Sequence, residues 1–213
     1  LNADPKVKLA LANAIFYRTG FTVKDPFLAV MDNDYNAEIK GLDFSTPSAL
    51  TTINKWASDN TNKKIPKVLD DIDGDAVMFI MNALYFNGDW SHQFDKSKTQ
   101  DRPFYPDGGG TVNVSTMNGE VGSKVVYRND YKAIEMPYGR TNFTMIVIVP
   151  QGSLSSFNTS FTHQSWSQLT AELDGKAEFG KMIVFMPKFK FSYEKFLNDQ
   201  LKSMGMVYAF IPY

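Results

Sequence analysis

Asn82 is the one polar side chain in the apolar run Met81-Asn82-Ala83-Leu84-Tyr85-Phe86. A buried amide without a partner costs roughly 1–3 kcal/mol. Asn82 is therefore expected to be buried and bonded to backbone or to groups outside this segment. It reads either as a satisfied core amide or as a polar latch inside a sheet that must open. Trp90, just past Gly88, reads on its own as an aromatic at the rim of a core.

Other candidate chemistry fails on spacing. Asp71-Ile72-Asp73-Gly74 resembles the start of a calcium loop. Aligning Gly74 with the loop glycine, however, puts Leu69 at the first ligand position and Ile80 where a bidentate Glu belongs. An acidic, solvated turn is the better reading. Gly108-Gly109-Gly110 lacks the Lys-Ser/Thr pair and the following helix of a phosphate cradle, and reads as a hairpin turn. His163 and Ser165 are two apart on a predicted helix and point to different faces. No G-x-S-x-G elbow occurs. Lys63, Lys64 and Lys67 are few and lack interleaved aromatics, so they suit a solvated helix exit rather than nucleic acid.

Composition narrows the classes further. The 213 residues are 43% hydrophobic, 14% aromatic and 21% charged, enough for a large core with a soluble surface. A net charge of −1 gives no field that would draw nucleic acid or an anionic membrane. Without cysteine there is no disulfide, thiol nucleophile or thiolate zinc site. Two histidines leave little room for a His-based metal site, and we expect no cofactor and no metal. The most apolar run, residues 76–86, is interrupted by Asn82 and is too short for a membrane-spanning helix. Leu1 in place of Met reads as a mature or truncated start, with no leader pattern in view. The apolar ending Ala209-Phe210-Ile211-Pro212-Tyr213 reads as a chain stopping mid-domain.

The elements that must position these residues are strands and helices without regular β-α-β alternation, which gives an α+β fold. Residues 6–17 are strand-like, with Asn13 inside. Asp25-Pro26 predicts a helix start with Asp25 as N-cap and Phe27, Val30 and Met31 as a buried stripe. Residues 37–44 alternate as a strand. Thr46-Pro47 starts a second helix, with Leu50, Ile53, Trp56 and Ala57 on one face. Residues 77–86 are apolar on both faces, as for a strand covered on both sides. A strand series follows from 104 to 149, with turns at 107–110, 128–130 and 139–140 and a stop at Pro150. Thr162 caps a helix, with Phe161 and Trp166 spaced as a hydrophobic staple. Residues 181–191 read as a strand. Ser192 caps the last helix, with Phe191 and Phe196 as a second staple and Gly205 at its C-terminal end.

Several motifs in order carry a more specific signal. They are Ile53-Asn54-Lys55-Trp56, Thr61-Asn62-Lys63-Lys64-Ile65-Pro66, Asn82-Ala83-Leu84-Tyr85-Phe86, Gly88-Asp89-Trp90 and Phe94-Asp95. Together they resemble the serpins, protease inhibitors that insert their own loop into a sheet. The resemblance runs nearly end to end. Leu11-Ala12-Asn13-Ala14-Ile15-Phe16, Glu135-Met136-Pro137-Tyr138, Met186-Pro187-Lys188-Phe189 and Met204-Gly205-Met206 match further landmarks. It implies a serpin-like α+β fold with mixed and antiparallel multi-stranded sheets and surrounding helices. On that basis residues 1–213 are the central part of a single serpin domain, with the first helices before Leu1 and the reactive loop and last strands after Tyr213.

By the same resemblance Asn82 falls in the shutter, where the sheet parts. Trp90, Thr99, Met117 and Lys188 fall in the breach, where the loop first enters. Ser115-Thr116 replaces the usual Pro-Met beside Met117. Lys63 stands where Gly is usual, a departure expected to matter little. The implied function is inhibition of serine-type endopeptidases by loop insertion and covalent trapping, so the protein is a binder and not an enzyme. The implied partner is a serine or cysteine protease, met through a loop outside this chain, by an extracellular or periplasmic monomer. The alternatives are a non-inhibitory serpin acting as carrier or chaperone, and an enzyme of another class. The missing elbow, cysteine and metal triad weigh against the last.

Overall fold

A computed structural model describes residues 4–210 apart from 194 and 196. Two compact units are present, one built mainly from Lys8–Asn87 and the other mainly from Gly88–Phe191.

In the first unit, β1 (Val7–Arg18), β2 (Glu38–Leu42) and β3 (Met78–Gly88) form a sheet in the order β2-β1-β3. β1 and β2 run parallel, with Ala14 opposite Glu38 and Arg18 opposite Leu42. Such a pair requires a crossover, supplied by helix α1 (Asp25–Asn33). α1 starts one residue earlier than predicted. Lys24 is the N-cap, Asp25 lies in the first turn, and no side chain caps the helix. The spacing of Phe27, Val30 and Met31 does make a helix, but none of its residues is buried; Met31 is half-buried, while Phe27 and Val30 are exposed.

Helix α2 (Pro47–Asn60) follows Thr46, which takes the N-cap position as predicted. Its buried residues are Ala49, Ile53, Trp56 and Ala57, with Leu50 at the margin of the stripe. They join Ala14, Phe16, Phe44 and Ala83 in one cluster, where Phe16 meets Trp56 edge-on at 6.2 Å. The strand expected to be covered on both faces is covered on one. Side chains alternate along a strand, and α2 shields only the face carrying Ala83. On the other face Ile80 and Leu84 are each 60% exposed.

The exit of α2 explains two sequence motifs. The Asn54 side chain accepts from the N–H groups of Val68 and Leu69 and donates to the Leu69 carbonyl, so it clamps the returning chain. Asn62 (φ 50°) and Lys63 (φ 60°) are both left-handed. A side chain there costs roughly 1–2 kcal/mol relative to the right-handed region. Lys63 in place of Gly is therefore a strained choice and not a neutral one.

In the second unit every strand pairing is antiparallel. β4 (Gln100–Phe104), β5 (Val112–Tyr127), β6 (Tyr131–Tyr138) and β7 (Phe143–Pro150) lie in that order, with β8 (Gly180–Pro187) also on β5. The β4–β5 turn holds Gly109 and Gly110 at φ 84° and 81°, as a glycine hairpin turn requires. β8 stops at Pro187, short of the predicted 191. Proline cannot donate to a ladder, and Phe189 and Phe191 beyond it are exposed and stacked on each other.

Helix α3 (Leu154–Ser160), capped by Ser153, has no counterpart in the sequence reading. α4 (His163–Asp174) has a capping box between Thr162 and Ser165, and its Leu169 and Leu173 bury against Val126, Tyr131 and Ala133. Phe161 meets the rings of Tyr131 and Phe157, while Trp166 stays 40% exposed, so the staple spacing is present without a described staple contact. The last helix, α5 (Asn198–Ser203), begins at N-cap Leu197 and not at Ser192. Phe196 lies outside the described residues. Gly205, at φ 102°, follows the helix as predicted.

Candidate functional site

Trp90 is placed by the turn at Gly88-Asp89. The Asp89 N–H donates to the Lys6 carbonyl, and the Gly139 N–H donates to the Asp89 carbonyl. Trp90 forms an isolated antiparallel bridge with Tyr138. Their rings stack at 4.3 Å with 13° between planes, and Phe94 meets the indole edge-on at 6.3 Å. Both geometries suit aromatic quadrupoles. Trp90 and Phe94 pack on the buried cluster Val121, Met136 and Met186. With His92, Gly122 and Pro137 these side chains close up and leave no space for a water molecule. Gly122 makes this possible, because a Cβ there would lie 2.8 Å from the His92 ring. Burial of Tyr138 raises its phenol above the ordinary value.

Thr99, Met117 and Lys188 converge on one short stretch of β5. Thr99 ends the 3₁₀ turn Lys96–Lys98, and its neighbour Gln100 pairs with Thr116. Pro187, just before Lys188, pairs with Thr116 too. The Lys188 N–H donates to the Ser115 carbonyl at 2.8 Å. Met117 is half-buried, pairs with Met186, and packs on the cluster that holds Trp90. All four predicted breach residues are thus brought to one region of the second unit. The Lys188 side chain is exposed and forms no ion pair among the described residues.

Asn82 corrects an expectation. It is exposed and not buried, because it projects from the face of β3 that α2 does not cover. Its Nδ2 donates to Asn13 Oδ1 at 2.8 Å and, at 3.5 Å, to the Ala12 carbonyl. Asn13 in turn donates to the Tyr35 carbonyl at 2.8 Å. The amide pair links β1 to β3, and β3 has no strand on its other side among the described residues.

The second unit holds a further polar anchor. The Asp4 carboxylate is 5% exposed and accepts the N–H groups of Arg140 and Lys6 at 2.5 and 3.0 Å. The Arg140 backbone bond, aided by that of Lys6, holds Asp4 below the usual aspartate value against an opposing burial effect. Gly139 (φ 48°) lies under this carboxylate, and a Cβ there would fall 2.1 Å from Asp4 Oδ2.

Sequence reasoning singled out Asn82 but not its partner. The available signal was that each of the two apolar strands carries an Asn-Ala step, Asn13-Ala14 and Asn82-Ala83. Tyr138 and Thr116 carry no comparable local signal, since their roles come from cross-strand register. Among the described residues no group of three His, Cys, Asp or Glu could hold a metal ion, and no helix is long and apolar enough to cross a membrane.

A family profile described as "Serpin (serine protease inhibitor)" matches residues 1–212. An uncharacterized serpin-like protein of Methanosarcina mazei is 33% identical over 95% of this chain, and the match takes in 48% of that protein. Alaserpin of Manduca sexta is 29% identical over 97% of the chain and 54% of its own length. Among solved structures, the thermophilic serpin tengpin in its native state gives a TM-score of 0.85 at 27% identity, covering 98% of this chain and 53% of tengpin. Tengpin in its latent state gives 0.83 at 28% identity, covering 97% and 56%. The chain spans about half the length of the relatives it matches.

Proposed function

The chain belongs to the serpin family, whose members are in general protease inhibitors, and we propose that these 213 residues are the central part of a single serpin domain whose complete form inhibits serine-type endopeptidases. The reading assigns the inhibited step to a reactive loop outside this chain. The protease cleaves the loop and remains acylated, and the loop then adds to the sheet of β1–β3 as a new strand. Serpin loop insertion is itself an established case of strand addition to a sheet.

The observation that carries the reading is the pairing of β3 to β1 in the order β2-β1-β3, reinforced by the exposed Asn13–Asn82 bond. Asn82 would act as the shutter. Trp90, Thr99, Met117 and Lys188 would form the breach around Thr116. Two crystal states of tengpin fit this chain about equally well, which accords with a frame common to both. The reading also places the whole protein outside the cytoplasm as a monomer, with a protease as its partner.

The test is incubation of the full-length protein with trypsin, chymotrypsin, elastase and subtilisin. An SDS-resistant covalent complex with at least one of them is expected, and none from the 213 residues alone. A full-length protein cut as an ordinary substrate by all four, with no complex and no gain in heat stability, would support the carrier or chaperone alternative instead.

A further inference from the structure

One face of the β4-β5-β8 sheet carries a cleft of about 380 Å³ lined by Arg102, Pro103, Tyr105, Val114, Thr116, Phe185 and Pro187. The volume lies within the range of small-molecule sites, roughly 300–1,000 Å³. Its walls are mostly apolar, and Arg102 supplies the one formal charge. No carboxylate lines it.

The state of Arg102 gives the cleft its chemistry. The guanidinium lies over the Phe185 ring with Cζ 4.2 Å from the centroid, so one of its faces is committed to the ring. Its Nε is shut off from solvent and has no hydrogen-bond partner. None of the described ion pairs includes Arg102. A guanidinium that has lost water at Nε without gaining an acceptor gains most from a planar anion at its remaining N–H groups. The register fixes this arrangement: Arg102 sits opposite Val114, and Thr116 is 4% exposed with its hydroxyl donating to the Val114 carbonyl. Tyr105 lines the same cleft and is 73% exposed.

We propose that this cleft is a binding site for a small amphipathic carboxylate, its carboxyl group on the Arg102 guanidinium and its apolar body along Phe185, Val114 and Pro187. The cleft shares Thr116 and Pro187 with the stretch of β5 and β8 next to Lys188. It does not depend on the inhibitory reading.

The test uses the full-length protein with 2-naphthoate as probe and 2-naphthalenemethanol as its uncharged counterpart, followed by calorimetry and by saturation transfer from protein aromatic protons. The account expects 2-naphthoate to bind and the alcohol to bind at least about tenfold more weakly, as the loss of one charge-assisted contact implies. Arg102→Gln should weaken naphthoate about tenfold and leave the alcohol unchanged, while Arg102→Lys, which keeps the charge but loses the fork, should recover only part. Melting curves check that each variant is folded. An Arg102→Gln variant that fails to fold is replaced by Arg102→Met, for which the same preferential loss of naphthoate is expected. No binding of naphthoate, equal binding of acid and alcohol, or undiminished naphthoate binding in both folded variants would overturn the proposal.

Discussion

Asn82 and Trp90 lie close in sequence, yet their surroundings differ in kind. Asn82 stands on an exposed strand face and is held by one side-chain amide and a long bond to a carbonyl. Trp90 is stacked on Tyr138, edged by Phe94, and set in packing that leaves no room for water. An exposed amide bond contributes about 0.5–1.5 kcal/mol, whereas removing a packed aromatic costs several times that. The first kind of contact opens cheaply. The second keeps a region in shape while something nearby changes. A sheet that accepts a new strand under the proposed function needs both.

The largest expected effect breaks the apolar side of this contrast. Trp90→Ala should destabilise the full-length protein by about 3 kcal/mol, at the lower end for an aromatic truncation because the indole is only half-buried. Denaturant titrations of the native and loop-inserted forms should then show unequal losses, with a shifted stoichiometry of inhibition. Equal losses and an unchanged stoichiometry would leave Trp90 as packing alone.

Gly139→Ala comes next, at about 2 kcal/mol, since the new Cβ combines a left-handed backbone with overlap of Asp4. Asp4 also sets a pH dependence. Its folded value lies below the ordinary 3.8, so its contribution is complete above that value and is lost as pH falls through the lower folded one. Acid unfolding should be less steep in Asp4→Asn, which loses this titration. An identical acid limb in the two proteins would remove Asp4 from the account.

Lys63→Gly should act in the opposite direction and stabilise the protein by up to about 1 kcal/mol, the strain relieved less the added chain freedom. A lowered denaturation midpoint would show that the Lys63 side chain offsets its own backbone strain.

The smallest equilibrium effect is expected at the polar pair. Asn82→Ala should cost about 0.5–1 kcal/mol, and the Asn13→Ala, Asn82→Ala double variant should cost less than the sum of the two. The kinetic effect should be larger, with faster polymerisation or conversion to the latent form on mild heating. Unchanged polymerisation would reduce the pair to an ordinary strand contact.

The contrast between these regions was only partly legible in the sequence. Periodicity located β1, α2, β3 and the strand series from β4 to β7, because each has a one-sided or continuous apolar pattern of its own. The motif order identified the family and drew attention to Asn82, Trp90, Thr99, Met117 and Lys188. Burial was less legible. Ile80 and Leu84 look like core on composition, but whether a face is covered depends on which element lies over it. The convergence on Thr116 depends on the register of β8, distant in sequence, against the β4–β5 hairpin, and no local pattern encodes that. The short helix α3, capped only by Ser153, is too brief to give a periodic signal.

The central claim is that β3 receives the reactive loop at the edge away from β1. Hydrogen exchange of the backbone amides in Met78–Gly88 tests it most directly, measured on the full-length protein before and after cleavage by a protease that forms the covalent complex. The account predicts that amides on the edge of β3 away from β1 gain strong protection after cleavage, while those bonded to β1 change little. Unchanged exchange along β3 after cleavage would contradict it.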